Sequence, residues 1–155
     1  MYNSMNKNTI TWTVKPFEKL STNDLYRIVQ ARVEIFVIEQ NTPYQDLDNT
    51  DQKALHLWAE QDGRILAYCR LFNRGIKYNE ASIGRVLTTE GARGTGLGKQ
   101  LIARAIEVIE KEYQTSEIRI SAQDYLIKFY SDFGFQDTGK KYLEDNLPHT
   151  EMIRR

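Results

Sequence analysis

The sequence predicts an α/β fold with a mixed sheet, and three observations carry that prediction. Apolar residues alternate with polar ones over several short stretches, as in strands, and recur every three or four positions over longer stretches, as in helices. The pair Asp62-Gly63 separates two strand-like runs and predicts a hairpin turn. Gly94, Gly96 and Gly98 stand between a strand-like run and an amphipathic helix, and this order predicts a phosphate-binding turn.

The first half of the chain is predicted to hold a strand, a long helix and a hairpin. β-branched and aromatic residues from Thr9 to Val14 indicate the strand. Ser21 is the expected N-cap of a helix that keeps helical spacing to Val37, with Asp24 in its first turn. The elements expected next are a polar, acidic loop over 39–51 and two strands over 54–60 and 65–72.

The second half is predicted to alternate strands with two helices. The helix after the glycine turn ends near Tyr113, and Gly134 ends a second, short helix. The strands are expected over 81–89, 117–122, 135–143 and 150–154, with the connector Asn146-Leu147-Pro148-His149 before the last one. The element order is β α β β β α β α β β. We therefore predict a flexible tail over residues 1–8 and a single domain over 9–155.

Composition narrows the class of protein. The chain has 155 residues, of which 41% are hydrophobic and 27% charged, and its 21 basic residues equal its 21 acidic ones. A formal charge of zero gives no electrostatic case for nucleic-acid binding, and no apolar run is long enough for a membrane span. The N-terminal residues lack the apolar core of a signal peptide, and the lone Cys69 forms no internal disulfide. We expect a cytoplasmic protein without nucleic-acid, membrane or metal partners.

The glycine-rich stretch from Arg93 to Lys99 is the strongest chemical signal. Backbone N–H groups at the start of a helix lack intrahelical partners and attract a phosphate. The P-loop pattern fails here because residue 93 is arginine and residue 100 is glutamine. The dinucleotide fingerprint fails because its third glycine position holds Lys99.

The run Arg93-x-x-Gly96-x-Gly98 resembles the R/Q-x-x-G-x-G/A loop of the GNAT superfamily of acetyl-CoA-dependent acetyltransferases. Phe129-Tyr130, followed by Phe133-Gly134-Phe135, is similar to the second signature of the superfamily. A narrower likeness, to the ElaA-type acetyltransferases, covers most of the chain from about Trp12 onward. It rests on Arg32, Phe36, the run 37–48, the run 83–86 and Pro148-His149.

This resemblance implies a mixed, mostly antiparallel sheet that splays between its central strands and is flanked by helices. It also implies an N-acetyltransferase that moves the acetyl group of acetyl-CoA to a primary amine by direct attack in a ternary complex. The acceptor stays open between a small molecule, a peptide N-terminus and a lysine, and the chain is expected to be a monomer or a homodimer. The resemblance also leaves room for a non-catalytic acyl-CoA sensor, which is a different class of protein.

The resemblance assigns the donor site residue by residue. N–H groups from Gly94 to Lys99 would bind the pyrophosphate, Val86 and Leu87 would pair with the pantetheine arm, and an N–H near Leu87 would be the oxyanion donor. Tyr130 is the expected general acid, although a tyrosine on an apolar helix stripe is also a common core residue. The predicted cofactor-binding residues are Val86, Leu87, Thr88, Arg93, Gly94, Thr95, Gly96, Leu97, Gly98, Lys99, Gln123, Lys128 and Tyr130.

The sequence signals for the general base and for the residues that contact the acceptor are weaker. His149 is a candidate base because imidazole titrates near neutral pH, and His56 is the only other histidine. Glu39, Asp46 and Asp48 are candidates to bind or deprotonate a cationic amine, directly or through water, although an acidic, solvated loop is the simpler interpretation. Arg32, Arg70 and Arg85 stand on apolar elements. Either they form an ion-pair network with Glu39 or the acidic loop, or one of them binds a carboxylate of the acceptor. Cys69 shares its strand face with apolar residues and is expected to be a small hydrophobe.

Overall fold

The computed structural model describes residues 9–155, so the predicted tail over 1–8 lies outside the described residues. The described part follows the predicted element order. The strands are β1 (Thr11–Pro16), β2 (Leu55–Gln61), β3 (Arg64–Phe72), β4 (Ser82–Thr88), β5 (Ile118–Gln123), β6 (Phe135–Glu144) and β7 (Leu147–Arg154). The α-helices are α1 (Thr22–Arg32), α2 (Leu97–Tyr113) and α3 (Ile127–Ser131). The predicted first strand is therefore placed two residues too early in the chain.

Helix α1 begins with the predicted cap. The amide of Asp24 donates to the Ser21 hydroxyl over 2.9 Å, and the Asp24 carboxylate accepts from the Ser21 amide over 3.1 Å. This reciprocal capping box satisfies two N–H groups that the first helical turn leaves without partners. The prediction of Ser21 as the N-cap is confirmed.

The helix does not stay α-helical to Val37, as its spacing suggested. A π-helical segment covers Val33–Glu39, and the amide of Gln40 bonds to the carbonyl of Ile35, five residues back. The wider turn rotates the buried stripe, so that Ile35 is buried and Val33 is only half-buried. Ile28, Ala31, Ile35 and Phe36 form a core with Trp58, Ile65, Tyr68 and Leu87.

Strands β1 to β4 form one sheet in the order β1-β2-β3-β4. The β2–β3 turn has positive φ at both Asp62 (51°) and Gly63 (75°), which is the type I′ geometry that matches strand twist. The predicted hairpin is confirmed. Cys69 on β3 is fully buried, and burial raises the pKa of its thiol, as expected for a small apolar residue.

Strands β5, β7 and β6 form an antiparallel sheet in that order. Its β6–β7 turn consists of Asp145 and Asn146, with φ values of 50° and 66°. The predicted four-residue connector is wrong because a two-residue turn of this type leaves Leu147, Pro148 and His149 inside β7. His149 consequently has Gln123 on β5 and Tyr142 on β6 as cross-strand partners.

The described residues divide into two compact units. The first consists of residues 9–70 and Arg85–Leu101, and the second consists of Leu71–Gly84 and Ile102–Arg155. Within the second unit, a parallel bridge joins Ala81 to Ile118. Strands β4 and β5 otherwise belong to different sheets, which agrees with the predicted mixed, mostly antiparallel fold with a splay. Among residues 9–155, no helix has both the length and the hydropathy to cross a membrane.

Candidate active site

The glycine loop has the backbone geometry of an anion cradle. Gly94 and Gly96 have φ values of 77° and 84°, a conformation that residues with a Cβ rarely adopt. The first intrahelical bond of α2 runs from the Gln100 amide to the Gly96 carbonyl over 3.1 Å. The N–H groups of residues 97–99 therefore lie at the positive end of a 17-residue helix, before its hydrogen-bond ladder starts. This loop fits a phosphate or pyrophosphate.

Arg93 precedes the cradle and lies partly in solvent. Its Nη2 atom donates to the Glu39 carboxylate over 2.5 Å and to the Thr88 carbonyl over 3.2 Å. Glu39 therefore pairs with the glycine loop and not with Arg32, Arg70 or Arg85 among the described contacts. Of the other predicted phosphate contacts, Lys99 is exposed, and Lys128 is 92% exposed in the second unit, 3.8 Å from Asp132.

Strand β4 is an edge strand of its sheet, with β3 on one side only. Arg85 has φ 50° within this strand, so the backbone departs from regular extended geometry directly before Val86 and Leu87. The side chain of Leu87 is buried in the core of the first unit. The outer edge of β4 offers the row of backbone groups that an extended ligand needs.

Tyr130 lies on α3 with a buried ring. The ring meets Phe129 and Phe135 edge to face, with centroids 5.2 Å and 5.8 Å away. This packing agrees with the core interpretation of the ring. Its role as the general acid stays a prediction that depends on the hydroxyl group.

Asp46 is the centre of a buried ion-pair network in the first unit. Its carboxylate accepts from Arg32 Nε over 2.9 Å and from Arg85 Nε over 2.7 Å. The same two arginines also donate to the Asp46 carbonyl, over 3.1 Å and 2.9 Å. Asp46 is only 3% exposed, so the solvated interpretation of this loop residue is wrong.

Asp51 and Asp48 complete the network. Asp51 Oδ1 accepts from Arg32 and from Arg70, both over 2.7 Å, and Arg70 also binds both oxygens of Asp48, over 2.9 Å and 2.6 Å. Burial alone would raise the pKa of Asp51, but the guanidinium groups of Arg32 and Arg70 outweigh it and lower that pKa. The expected ion-pair network with the acidic loop is confirmed. Sequence reasoning missed Asp51 as a separate site residue. The signal for it was the presence of three arginines on apolar elements, because buried arginines need carboxylate partners.

His56 is integrated into this network. Its Nε2–H donates to the Asp51 carbonyl over 2.9 Å, because a carbonyl only accepts, and its Nδ1 accepts from the Tyr68 hydroxyl over 2.8 Å. Burial lowers the pKa of His56, which keeps the ring neutral. Both ring nitrogens are occupied, so His56 has a structural role.

His149 lies on the sheet of the second unit with a side chain that is 7% exposed. Its Nδ1 bonds to the Leu147 carbonyl over 2.7 Å, and its Nε2 is 3.5 Å from Glu144 Oε2. Tyr142 stacks on the ring at a centroid distance of 6.1 Å. Sequence reasoning found His149 but missed Glu144 and Tyr142, which only the register of β6 on β7 brings beside it.

Comparison with known proteins agrees with this architecture over nearly the whole chain. Residues 25–155 match the family model of the acetyltransferase (GNAT) domain. A UPF0039 protein of Synechocystis is 36% identical over 147 residues, which cover 94% of this chain and 96% of that protein. The crystal structure of an acyl-CoA N-acyltransferase from Pseudomonas aeruginosa has a TM-score of 0.91 and 39% identity, and the match covers 95% of this chain and 100% of that one. The crystal structure of Escherichia coli ElaA has a TM-score of 0.88 and 33% identity over the same shares.

Proposed function

Since the chain belongs to the GNAT acetyltransferase family, we propose that it transfers an acetyl group from acetyl-CoA to a primary amine. Acyl transfer from an acyl-CoA donor is the activity of the family. The observation that carries the proposal is the glycine loop, because its two positive-φ glycines lie at the start of α2 in the pattern Arg93-x-x-Gly96-x-Gly98.

The loop and β4 would hold the donor. N–H groups from Gly94 to Lys99 bind the pyrophosphate, and the helix dipole of α2 adds to their attraction for its charge. The outer edge of Val86, Leu87 and Thr88 pairs with the pantetheine arm, and Gln123 contributes a polar contact to it. Bound acetyl-CoA supplies a thioester carbonyl that an amine can attack.

Two groups of the chain would act on the reacting atoms. The N–H near Leu87 donates to the carbonyl oxygen as negative charge develops there, and a preorganised donor of this kind contributes on the order of 3 kcal/mol. The Tyr130 hydroxyl supplies the proton that the leaving sulfur needs. A phenol suits this step because it keeps its proton at neutral pH.

The alternative function is a non-catalytic acyl-CoA sensor of the same fold. Tyr130 is only 5% exposed, and an ion-pair network neutralises Arg32, Arg70 and Arg85. Both observations agree with a purely structural role of these residues. The enzyme is favoured because a relative of known structure that is 39% identical to this chain is an acyl-CoA N-acyltransferase.

Thiol release from acetyl-CoA, measured with a panel of primary amines, distinguishes the two functions. The enzyme predicts amine-dependent release together with saturable acetyl-CoA binding by calorimetry. Tight CoA binding without release on any amine would support the sensor. Affinity for ATP or NAD without affinity for CoA would contradict both.

A further inference from the structure

Arg85 holds an unusual backbone conformation inside β4. Its φ is 50°, and among residues 9–155 it is the only residue other than glycine that has a positive φ within a strand. The other non-glycine residues with positive φ lie in turns and loops, and most of them are asparagine or aspartate, which tolerate this conformation best. Arginine rarely adopts it in a strand, so contacts of the side chain must maintain it.

Contacts with the acidic loop hold the Arg85 side chain in place. Its Nε donates to Asp46 Oδ1 over 2.7 Å, and its Nη2 donates to the Asp46 carbonyl over 2.9 Å. Asp48 Oδ2 lies 3.7 Å from Nη2, and the guanidinium group lies over the Tyr44 ring, 5.7 Å from its centroid. Rotation of Arg85 back to regular strand geometry would break these contacts.

Asp46 is itself anchored to helix α1. Arg32 Nε donates to Asp46 Oδ2 over 2.9 Å, and Arg32 Nη2 donates to the Asp46 carbonyl over 3.1 Å. The Tyr44 hydroxyl adds a bond to Asp46 Oδ1 over 3.2 Å. Both Arg32 and Asp46 are buried, so the line Arg32–Asp46–Arg85 connects the core helix to β4.

The N–H of Val86 lies on the free edge of β4. The Thr89 amide donates to the Leu66 carbonyl of β3 over 2.9 Å, so Thr89 faces that strand. Residues at every second position of a strand face the same edge, so Thr88 and Val86 face the opposite edge of β4. Val86 therefore supplies the N–H near Leu87 that an acyl group at this edge can meet.

Arg85 determines where that N–H points. The planar peptide unit that carries it joins the carbonyl of Arg85 to the nitrogen of Val86, and the two backbone torsions of Arg85 orient this unit. A change from φ 50° to the negative φ of a regular strand would turn the N–H and the chain that follows it.

We propose that Asp46 and Arg85 are positioning residues for acyl transfer. Their ion pair holds Arg85 in the left-handed conformation and so aims the Val86 N–H at the carbonyl oxygen of the bound thioester. This inference rests on the proposed function. The N–H stabilises the negative charge that develops on that oxygen, and it is effective only when its direction is fixed before the reaction. Both side chains act through the backbone of β4.

Asp46→Asn and Asp51→Asn are a matched pair of variants. Each removes a buried carboxylate that accepts from two arginines, and both carboxylates bind Arg32, but Asp46 also binds Arg85 whereas Asp51 binds Arg70. Both variants should be less stable than the wild type in urea.

The single-turnover rate of acetyl transfer, measured with the most active amine of the panel, separates the two variants. Asp46→Asn should lower this rate about tenfold and change acetyl-CoA affinity less than about twofold, because the cofactor loop is intact. Asp51→Asn should keep the wild-type rate. Equal rates in the two variants would refute the positioning role.

Substitutions of Arg85 test the backbone conformation itself. Arg85→Ala should lower the single-turnover rate about 100-fold, because alanine lacks the ion pair and disfavours positive φ. Arg85→Gly should be about tenfold faster than Arg85→Ala, because glycine accepts φ 50° without the ion pair. A glycine variant no faster than the alanine variant would show that Arg85 serves only as a structural cation, and would overturn the proposal.

Nitrogen-15 NMR of the full chain tests the Val86 N–H without turnover. Its amide signal should shift when acetyl-CoA replaces CoA, because only the thioester has the carbonyl oxygen. Asp46→Asn should reduce this shift, and Asp51→Asn should retain it. Wild-type protein that binds both molecules without a shift at Val86 would refute this inference, whereas wild-type protein that binds neither would refute the proposed function.

Discussion

Asp46→Asn is expected to destabilise the protein more than any exposed Asp→Asn change. The substitution keeps the size of the side chain and one acceptor oxygen but removes the charge that Arg32 and Arg85 share. The network of three arginines and three aspartates then carries one uncompensated positive charge. Arg32 has no access to water to solvate it, since its side chain is only 1% exposed.

The magnitude follows from the burial. Removal of one partner from a buried ion pair costs about 3–5 kcal/mol, and the retained amide oxygen places Asp46→Asn at about 3 kcal/mol. For a chain of this length, that free energy lowers the Tm by about 6–12 °C. The Asp46 carbonyl keeps its bonds to both arginines, so the loop is expected to stay attached and the protein to fold.

Urea unfolding followed by circular dichroism measures this loss, and an unchanged slope with urea would show that two-state unfolding holds. Asp132→Asn is the matched control, because Asp132 is 60% exposed and lies 3.8 Å from Lys128. An exposed pair of this kind contributes at most about 1 kcal/mol. If Asp46→Asn and Asp132→Asn cost the same, the buried carboxylate is not needed for stability and the reasoning fails.

Three further predictions concern the cofactor loop, the acid and the buried histidine. Gly96→Ala should weaken CoA binding about tenfold, because alanine disfavours the left-handed conformation that Gly96 adopts at φ 84°. Gly91→Ala is the control and should leave CoA affinity unchanged, because Gly91 has no positive φ. Equal CoA affinities of the two variants by calorimetry would contradict this prediction. Tyr130→Phe should lower kcat about 100-fold and leave acetyl-CoA affinity near that of the wild type, and unchanged turnover would exclude the acid role. Burial lowers the pKa of His56 in the folded protein, so His56 binds a proton near pH 6.5 in the unfolded chain but stays neutral in the folded one. The free energy of unfolding should therefore fall below that pH by up to about 1.4 kcal/mol per pH unit. His56→Gln should reduce this slope. An identical slope in the variant would assign the effect to other groups.

Local signals account for the parts of the fold that the sequence predicted correctly. Ser21 caps a helix through contacts within one turn, and Asp62-Gly63 forms its hairpin through the conformations of two residues. The glycine loop is local in the same sense, since its chemistry resides in its own backbone and in the helix that follows it.

The parts that the sequence did not predict depend on contacts between distant residues. Asp46 is buried because Arg32, 14 positions away, and Arg85, 39 positions away, both bind it. The π-helical segment at Val33–Glu39 changes which residues face the core, and no local rule for apolar spacing anticipates it. The Glu144–His149 pair exists only in one register of β6 on β7, which the two-residue turn at Asp145 and Asn146 sets.

Amine-dependent release of thiol from acetyl-CoA is the most direct measurement of the central claim. The account predicts saturable release that requires a primary amine, with the N-acetylated amine identified by mass spectrometry and with both diminished in Gly96→Ala but not in Gly91→Ala. Saturable acetyl-CoA binding without any amine-dependent thiol release would contradict it.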